Sequence, residues 1–295
     1  MDKEINIGHV FCFVSSKNTE QFSKLALDSF FKHTKLTKDD WFVFINNDNT
    51  GSFINAYPFN TYIANTKPKS WAANFNQGLD YAKNMKKHFV VITNDIIFTP
   101  NWFEPLTQRD DCVLIPSCNI NYVYKNDDFV FDFVIQLEEY LGKEKYLEEV
   151  HKYHQQKYKF DNLEEKIFMQ MFLGRISYQI HNDIGYFDDT FSNCGGEDMD
   201  FRIRCAQKGY KTMLANHSFV LHFHGKSSWD GDETTQQEED RRHSYLKRGV
   251  EKWGQELTDI FISGKYAKNF CYKLGLQKEF DNNESYNIMR KLLKC

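Results

Sequence analysis

Two adjacent carboxylates, Glu197 and Asp198, follow a pair of glycines in the segment NCGGEDMDFRIRCAQKGY. The apolar spacing after them predicts a helix that begins at this acidic pair. Backbone amides and the helix dipole favour negative charge at a helix N-terminus, so both carboxylates can stay ionised and accept a proton from a hydroxyl group. Acidic residues are also ordinary helix caps, and Asp200 four residues before Arg204 is typical of helix pairing. Acid–base chemistry and helix capping therefore both remain open.

Two histidines elsewhere in the chain are candidate metal ligands, and a pair of polar residues ends a buried strand. The segment VVITNDIIF predicts this strand, which ends at Asn94 and Asp95. The segment FVLHFHGKSS predicts a strand whose alternation places His222 and His224 on one face. A histidine in a strand is more often structural than a ligand, and both interpretations are kept.

The elements that must position these residues alternate between strands and helices. Short apolar runs such as HVFCFVSS and DWFVFINND are separated by amphipathic helical stretches such as QFSKLALDSFFKHT. This rhythm predicts an α/β fold with a mixed, mainly parallel sheet flanked by helices. Ligands of such sheets bind beyond the carboxyl ends of the strands, where Ser15, Ser16, residues 46–48, Asn94 and Asp95 are expected.

The order of these landmarks resembles a glycosyltransferase family 2 domain over about residues 8 to 228. The residues that carry the resemblance are Gly185, Phe187, Asp188, Glu197, Asp198, Asp200, Arg204, Gly209, Tyr210, His222, Gly225 and Ser227. The resemblance implies the GT-A fold, a Rossmann-like sheet that binds a nucleotide-sugar. It implies a metal-dependent, inverting transfer of a hexosyl or deoxyhexosyl group to a hydroxyl of a glycan or polysaccharide.

The resemblance also implies roles for individual residues. Asp198 would be the catalytic base that deprotonates the acceptor hydroxyl, and Glu197 would help to bind the acceptor. Asp95 would bind a divalent cation, Mn or Mg, that bridges the donor phosphates. His222 is the first choice for the further metal ligand and His224 the second.

Further positions are implied on the donor side. Asp48 matches an acid that hydrogen-bonds the nucleoside, although its segment FINNDNTGS alone would indicate a turn. Asn76 matches an Asn beside the diphosphate, although Asn-x-Gly in a helix usually reflects packing. Asn94 and Asp95 complete the predicted donor contacts, and Lys69 is a weaker phosphate candidate. The motif is Asn-Asp here, rather than two acids flanking a residue, which leaves a metal-independent variant open.

Composition limits the function classes. The 295 residues are 41% hydrophobic and 26% charged. The net charge of −4 means that the chain as a whole lacks the positive charge that attracts nucleic acid. Seven cysteines without a CxxC pair indicate reduced thiols, so a cytoplasmic location is expected. No segment has the apolar length of a membrane span, so membrane contact would be peripheral. Oligomeric state is not predicted.

The predicted organisation is a catalytic domain over residues 1–230 and a C-terminal helical extension over residues 231–295. A charged helical insertion over residues 119–166 is expected on the acceptor side. Two other functions remain open. One is a noncatalytic glycan-binding or assembly protein on the same fold. The other is a nucleotidyltransferase, which is disfavoured because VSSKNTEQF lacks a glycine-rich basic phosphate loop.

Overall fold

The computed structural model describes residues 7–16, 19–47, 53, 55–119, 124–126, 129–131, 137–141, 144–191, 195–226 and 234–295. The strands are β1 (His9–Ser15), β2 (Trp41–Asn46), β3 (Thr61–Ala64), β4 (His88–Thr93), β5 (Ile96–Phe98), β6 (Cys112–Cys118), β7 (Tyr124–Asn126), β8 (Phe129–Phe131), β9 (Leu163–Glu164), β10 (Leu173–Ile176) and β11 (Lys211–His222). The α-helices are α1 (Glu20–His33), α2 (Trp71–Met85), α3 (Leu137–Leu141), α4 (Glu144–Lys157), α5 (Tyr178–Ile184), α6 (Glu197–Gln207), α7 (Thr235–Leu257), α8 (Ala267–Lys273), α9 (Gln277–Asp281) and α10 (Ser285–Leu293). A 3₁₀ turn covers Glu104–Thr107 and a π-helical turn covers Thr258–Ser263.

One large sheet organises the described residues. Its strands lie in the order β3, β2, β1, β4, β10, β6, β11 and β5, and β9 pairs with β11. Strands β1 to β4 pair in parallel, and so do β6 and β11. Strand β10 is antiparallel to both β4 and β6, while β5 and β9 are antiparallel to β11. The predicted mixed, mainly parallel α/β sheet is confirmed.

The core forms where helices cover the parallel half of the sheet. Strands β1 and β4 are buried along their whole length, as strands covered on both faces must be. Helix α2 approaches β1 closely because it carries Gly78 at the contact, where a Cβ atom would lie 2.3 Å from the Sγ of Cys12. This contact fixes α2 against the middle of β1.

Helix α4, in the described part of the 119–166 segment, packs against strand β11. Leu147 and Val150 of α4 share an apolar cluster with Phe219 and Leu221 of β11. The Nδ1 atom of His154 lies 2.9 Å from the carbonyl oxygen of Asn216. Helix α4 therefore covers β11, and its predicted position over an acceptor stays a prediction.

The C-terminal helices dock on α6 through a shared core and an ion-pair cluster. Leu257, Ile260 and Phe261 pack with Ile203 of α6. Lys252 of α7 places its Nζ 2.6 Å from a carboxylate oxygen of Asp188 and 2.7 Å from one of Asp200. Trp253 donates from its indole to Asp200 at 2.9 Å. The extension is thus fixed to the acidic helix. The described helices include none that is both long and apolar enough to cross a membrane.

Replacing Lys252 with Ala is expected to destabilise the protein by about 3 kcal/mol, because it leaves the buried Asp200 without one of its cations. The matched control is Lys247→Ala on the same helix, whose 4.0 Å contact with Glu251 is exposed. Such exposed pairs contribute about 0.5 kcal/mol or less. Chemical denaturation of both variants measures the difference. Equal losses would mean that the Lys252 pairs do not fix the extension.

Buried histidines cluster at the amino ends of β1 and β4. The imidazoles of His9 and His88 lie 5.0 Å apart, and Arg175 donates to the Nε2 atom of His9 at 3.1 Å. Burial, and then the charge of Arg175, lower the pKa of His88 to about 3. Burial also lowers the pKa of His9 and brings that of His181 to about 4. These imidazoles are therefore neutral in the folded protein.

Acid is expected to destabilise the fold through this cluster. Each histidine binds its proton more readily in the unfolded chain, so its contribution is complete above about pH 6.5 and is lost as the pH falls toward 4. In His88→Asn, the amide oxygen can replace the Nδ1 atom that accepts from the Tyr178 backbone at 3.1 Å. Urea midpoints between pH 7 and 4.5 should therefore fall less steeply in this variant than in the wild type. Parallel profiles would contradict this account.

Candidate functional site

The buried pair of Asp95 and His222 joins the end of β4 to the end of β11. The Nε2 atom of His222 lies 3.3 Å from the Oδ2 atom of Asp95. Asp95 also accepts from the hydroxyl of Thr93 at 2.9 Å and from the backbone amide of Lys226 at 3.1 Å. The ring of His222 stacks on Phe172, with centroids 4.3 Å apart. The sequence prediction that these two residues meet is consistent with this geometry.

Electrostatics make this pair charged in the absence of metal. Burial acts to lower the pKa of His222, but the charge and hydrogen bond of Asp95 outweigh burial and raise that pKa to about 9. Burial acts to raise the pKa of Asp95, but the charge of His222 outweighs it and holds that pKa below its ordinary value. The proton between the imidazole nitrogen and the carboxylate oxygen lies where a cation bound by both side chains would lie.

The chemistry of the pair fits a divalent cation. An imidazole nitrogen and a carboxylate oxygen 3.3 Å apart can both bind one ion whose ligand distances are about 2.1 Å. Among the described residues no group of three or more His, Cys, Asp and Glu side chains is gathered around one point. The remaining coordination positions would therefore fall to phosphate oxygens and water.

His224 takes a different position from the one that strand alternation predicts. Strand β11 ends at His222, and His224 follows it with a left-handed φ of 54°. Its ring lies nearly perpendicular to that of His222, with centroids 5.8 Å apart. The predicted common strand face is wrong because the strand ends first, although both imidazoles line the same cavity.

Asp198 lies in the first turn of α6, which begins at Glu197 as predicted. Its Oδ2 atom accepts from the backbone amide of Met171 at 3.2 Å, and its Oδ1 atom accepts from that of Met199 at 2.8 Å. Burial raises the pKa of this carboxyl above its ordinary value. Glu197 is buried and accepts from the backbone amide of Gly195 at 2.6 Å. A carboxylate with a raised pKa is a stronger base.

A cavity of about 590 Å³ brings these groups together. Its lining includes Glu197 and Asp198 from the start of α6, and His222 and His224 from the end of β11 and just after it. Asp95 lies behind His222 and is fully buried. The candidate base and the candidate metal ligand therefore face one space, as the strand ends of such a sheet require.

The C-terminal extension supplies a further wall that the sequence did not predict. Arg241 and Tyr245, one turn apart on α7, both line the cavity. Tyr245 packs so closely on the turn before α6 that a Cβ atom at Gly195 would lie 2.4 Å from its ring. In the sequence, only the i, i+4 spacing of Arg241 and Tyr245 indicated that the two side chains share one face of a helix.

Two residues predicted to contact the donor, Asn76 and Asn94, instead make hydrogen bonds to other parts of the protein. Asn76 donates to the carbonyl oxygen of Phe187 at 2.9 Å and accepts from its amide at 2.9 Å. Asn94 is fully buried, and its amide donates to the hydroxyls of Thr19 at 2.6 Å and Ser23 at 2.8 Å. Neither residue lines the cavity. Contact with a donor therefore stays a prediction for both.

An amide network lies beyond β2 and β3, and only its Asn47 was among the positions that the sequence placed at the strand ends. The Oδ1 atom of Asn47 accepts from Asn65 at 3.0 Å and from the backbone amide of Lys69 at 2.8 Å. Asn65 also donates to Asn74 at 2.7 Å. The Nζ of Lys69, a predicted phosphate candidate, donates to Gln77 at 2.9 Å. The Asn residues of this network lie in separate segments of the chain, so no local sequence pattern predicts that they contact one another. Asp48 and Ser227 lie outside the described residues.

The predicted structural roles of Asp200 and Arg204 agree with their contacts. Arg204 donates to Asp200 at 2.8 Å along α6 and also to the carbonyl oxygens of Ile184 and Tyr186, each at 2.9 Å. Asp200 is fully buried and binds the C-terminal extension on its other side. The pair holds α6 in place behind the cavity.

Comparison with known proteins identifies the fold. No protein-family model matches the chain, and no curated protein matches its sequence. GalNAc-T7, solved with UDP, GalNAc and Mn²⁺, is similar to it with a TM-score of 0.60 at 14% identity, over 98% of this chain and 55% of that one. The mannosyltransferase PcManGT from Pyrobaculum calidifontis, in complex with GDP-Man and Mn²⁺, has a TM-score of 0.53 at 9% identity, over 97% of this chain and 74% of that one.

These similarities establish the architecture. This chain spans about half the length of the GalNAc-T7 chain. Identities of 14% and 9% are too low to transfer an activity, and membership of glycosyltransferase family 2 stays a prediction. The predicted GT-A fold, an open and mostly parallel sheet flanked by helices, is confirmed.

Proposed function

We propose that this protein is a glycosyltransferase that moves a sugar from a nucleotide-sugar to a hydroxyl acceptor with the help of Mn or Mg. One observation carries the proposal: a single cavity at the strand ends of a GT-A fold contains Asp198 and the metal-compatible His222. The two structures of similar fold were solved with a nucleotide or nucleotide-sugar and Mn²⁺, which supports the same ligand class here.

On the donor side, Asp95 and His222 would hold the cation, and His224 is the second candidate. A bound cation would offset the negative charge that develops on the leaving diphosphate. Asp95 keeps its orientation through Thr93 and the Lys226 backbone, so its carboxylate is preorganised. Asp48 would bind the nucleoside, while Asn76 and Asn94 would act mainly by fixing α2 and α1 beside the donor.

On the acceptor side, Asp198 would act as the base and Glu197 would help to position the acceptor. As the acceptor oxygen forms its bond to the anomeric carbon, Asp198 takes the hydroxyl proton. The bond from that carbon to the phosphate oxygen breaks, and its electron pair leaves with the nucleoside diphosphate. This in-line displacement inverts the configuration at the anomeric carbon. Burial of Asp198 suits the role because its raised pKa makes it a better proton acceptor.

A thermal-shift panel tests the proposal. The purified protein is heated with UDP, GDP, CMP or dTDP, each with and without Mn²⁺, because a ligand that binds only the folded state raises the melting temperature. A manganese-dependent shift with one nucleotide, absent in His222→Gln, supports the proposal and identifies the donor base. No shift with any nucleotide would contradict it and favour the noncatalytic glycan-binding alternative.

A further inference from the structure

Large apolar side chains are exposed at Phe168, which lines the cavity, and at both ends of α8. Phe168 is 48% exposed, Tyr266 is 63% exposed and Leu274 is 37% exposed. Phe168 and Gly264 both line the cavity, and a Cβ atom at Gly264 would lie 3.0 Å from the Phe168 ring. Tyr266 follows two residues later. The exposed apolar side chains therefore run from Phe168 at the cavity, through Tyr266 at the start of α8, to Leu274 at its end.

Tyr266 has a backbone conformation that its side chain disfavours. It has a left-handed φ of 67° at the position before α8, and Gly or Asn adopts this conformation far more readily than an aromatic residue. Its ring nevertheless points away from the core, and Lys265 lies over it at 5.3 Å. A strained, exposed aromatic residue is not explained by packing and points to a function at the surface.

Lysines accompany these apolar side chains. Lys265, Lys268 and Lys273 are all exposed, and Lys268 lies 5.3 Å from the ring centre of Tyr272. Residues 264–295 contain seven basic and three acidic side chains, although the whole chain has a net charge of −4. Aromatic rings with lysines beside them are typical of surfaces that lie in the headgroup region of a bilayer.

We propose that this membrane-docking rim, consisting of Phe168, Lys265, Tyr266, Lys268, Tyr272, Lys273 and Leu274, binds an anionic lipid bilayer. The lysines bind the negative headgroups, and the rings and Leu274 enter the interface. A bilayer on the rim lies next to the cavity mouth. If the proposed transferase function holds, on which this last step rests, the acceptor hydroxyl belongs to a membrane-borne molecule.

Vesicle sedimentation with the full chain tests this inference. Wild-type protein should bind vesicles of phosphatidylcholine with phosphatidylglycerol, bind pure phosphatidylcholine vesicles at least tenfold more weakly, and dissociate as salt increases. Lys265→Gln with Lys268→Gln and Lys273→Gln should weaken binding at least tenfold. Tyr266→Ser with Leu274→Ser should do the same at unchanged charge. The control is Tyr153→Ser on α4, where a tyrosine that is 49% exposed lies outside the rim.

Melting temperatures show whether each variant folds. Because the lysine substitutions and the Tyr266 and Leu274 substitutions are made separately, the inference can still be tested if one of the two variants does not fold. The inference would be overturned if the wild-type protein did not sediment with anionic vesicles, or if the rim variants bound these vesicles as tightly as the wild type does. The nucleotide thermal shift is measured on the same samples. A retained shift without vesicle binding rejects the rim alone, whereas vesicle binding without any nucleotide shift rejects the transferase proposal alone.

Discussion

Replacement of Asp198 by Asn is expected to reduce sugar transfer about 10²- to 10⁴-fold, the usual contribution of a positioned base. The amide cannot take the acceptor proton, yet it keeps nearly the same shape in the first turn of α6. Its oxygen can still accept from the backbone amide of Met199, as the Oδ1 atom of Asp198 does at 2.8 Å. Turnover is measured as nucleoside diphosphate released in the presence of acceptor, and donor affinity by thermal shift.

The control for this variant is Asp188→Asn, an identical chemical change outside the cavity. Asp188 binds Arg248 at 3.1 Å and Lys252 at 2.6 Å, so its loss should lower stability. Transfer by the folded Asp188→Asn protein should stay within a few-fold of the wild type. Full activity in Asp198→Asn would show that another group takes the proton.

Replacement of Asp95 by Asn should abolish the manganese-dependent thermal shift and sugar transfer together. It should also destabilise the metal-free protein by about 3 kcal/mol, because it removes the buried carboxylate that pairs with His222, whose imidazole then loses its proton. The 3.3 Å separation and the raised pKa of His222 are the observations behind this expectation. Chemical denaturation without metal and thermal shift with manganese measure the two effects separately.

A double variant, Asp95→Asn with His222→Gln, separates stability from metal binding. Removing both charges should restore most of the lost stability, since replacing a whole buried pair costs far less than breaking it. Manganese binding should stay absent because both ligands are gone. A double variant that still shows the manganese-dependent shift would place the metal elsewhere, and additive losses of stability would mean that the two side chains do not interact.

The periodic parts of the molecule were predictable from sequence. Alternating apolar runs defined β1, β2 and β4, and the glycines before Glu197 defined the start of α6, because hydrophobic period and backbone freedom are local properties. The pairing of Asp95 with His222 was expected from the family resemblance, since 127 residues separate them in sequence.

Other features of the site depend on tertiary contacts that no local pattern encodes. The end of β11 at His222 is set by its pairing with β5, so alternation alone misplaced His224. Asn94 faces the hydroxyls of α1 because the end of β4 lies beside that helix. The contribution of Arg241 and Tyr245 requires the docking of α7 on α6, which depends on ion pairs between distant segments.

The most direct test of the account is a crystal structure of the protein soaked with Mn²⁺ and the nucleoside diphosphate identified by thermal shift. Anomalous scattering locates manganese independently of the protein density. We expect one peak within about 2.3 Å of a carboxylate oxygen of Asp95 and of the Nε2 atom of His222, with the diphosphate bound to it in the cavity that contains Asp198. A nucleotide bound outside this cavity, or manganese bound without Asp95 and His222, would contradict the proposed site.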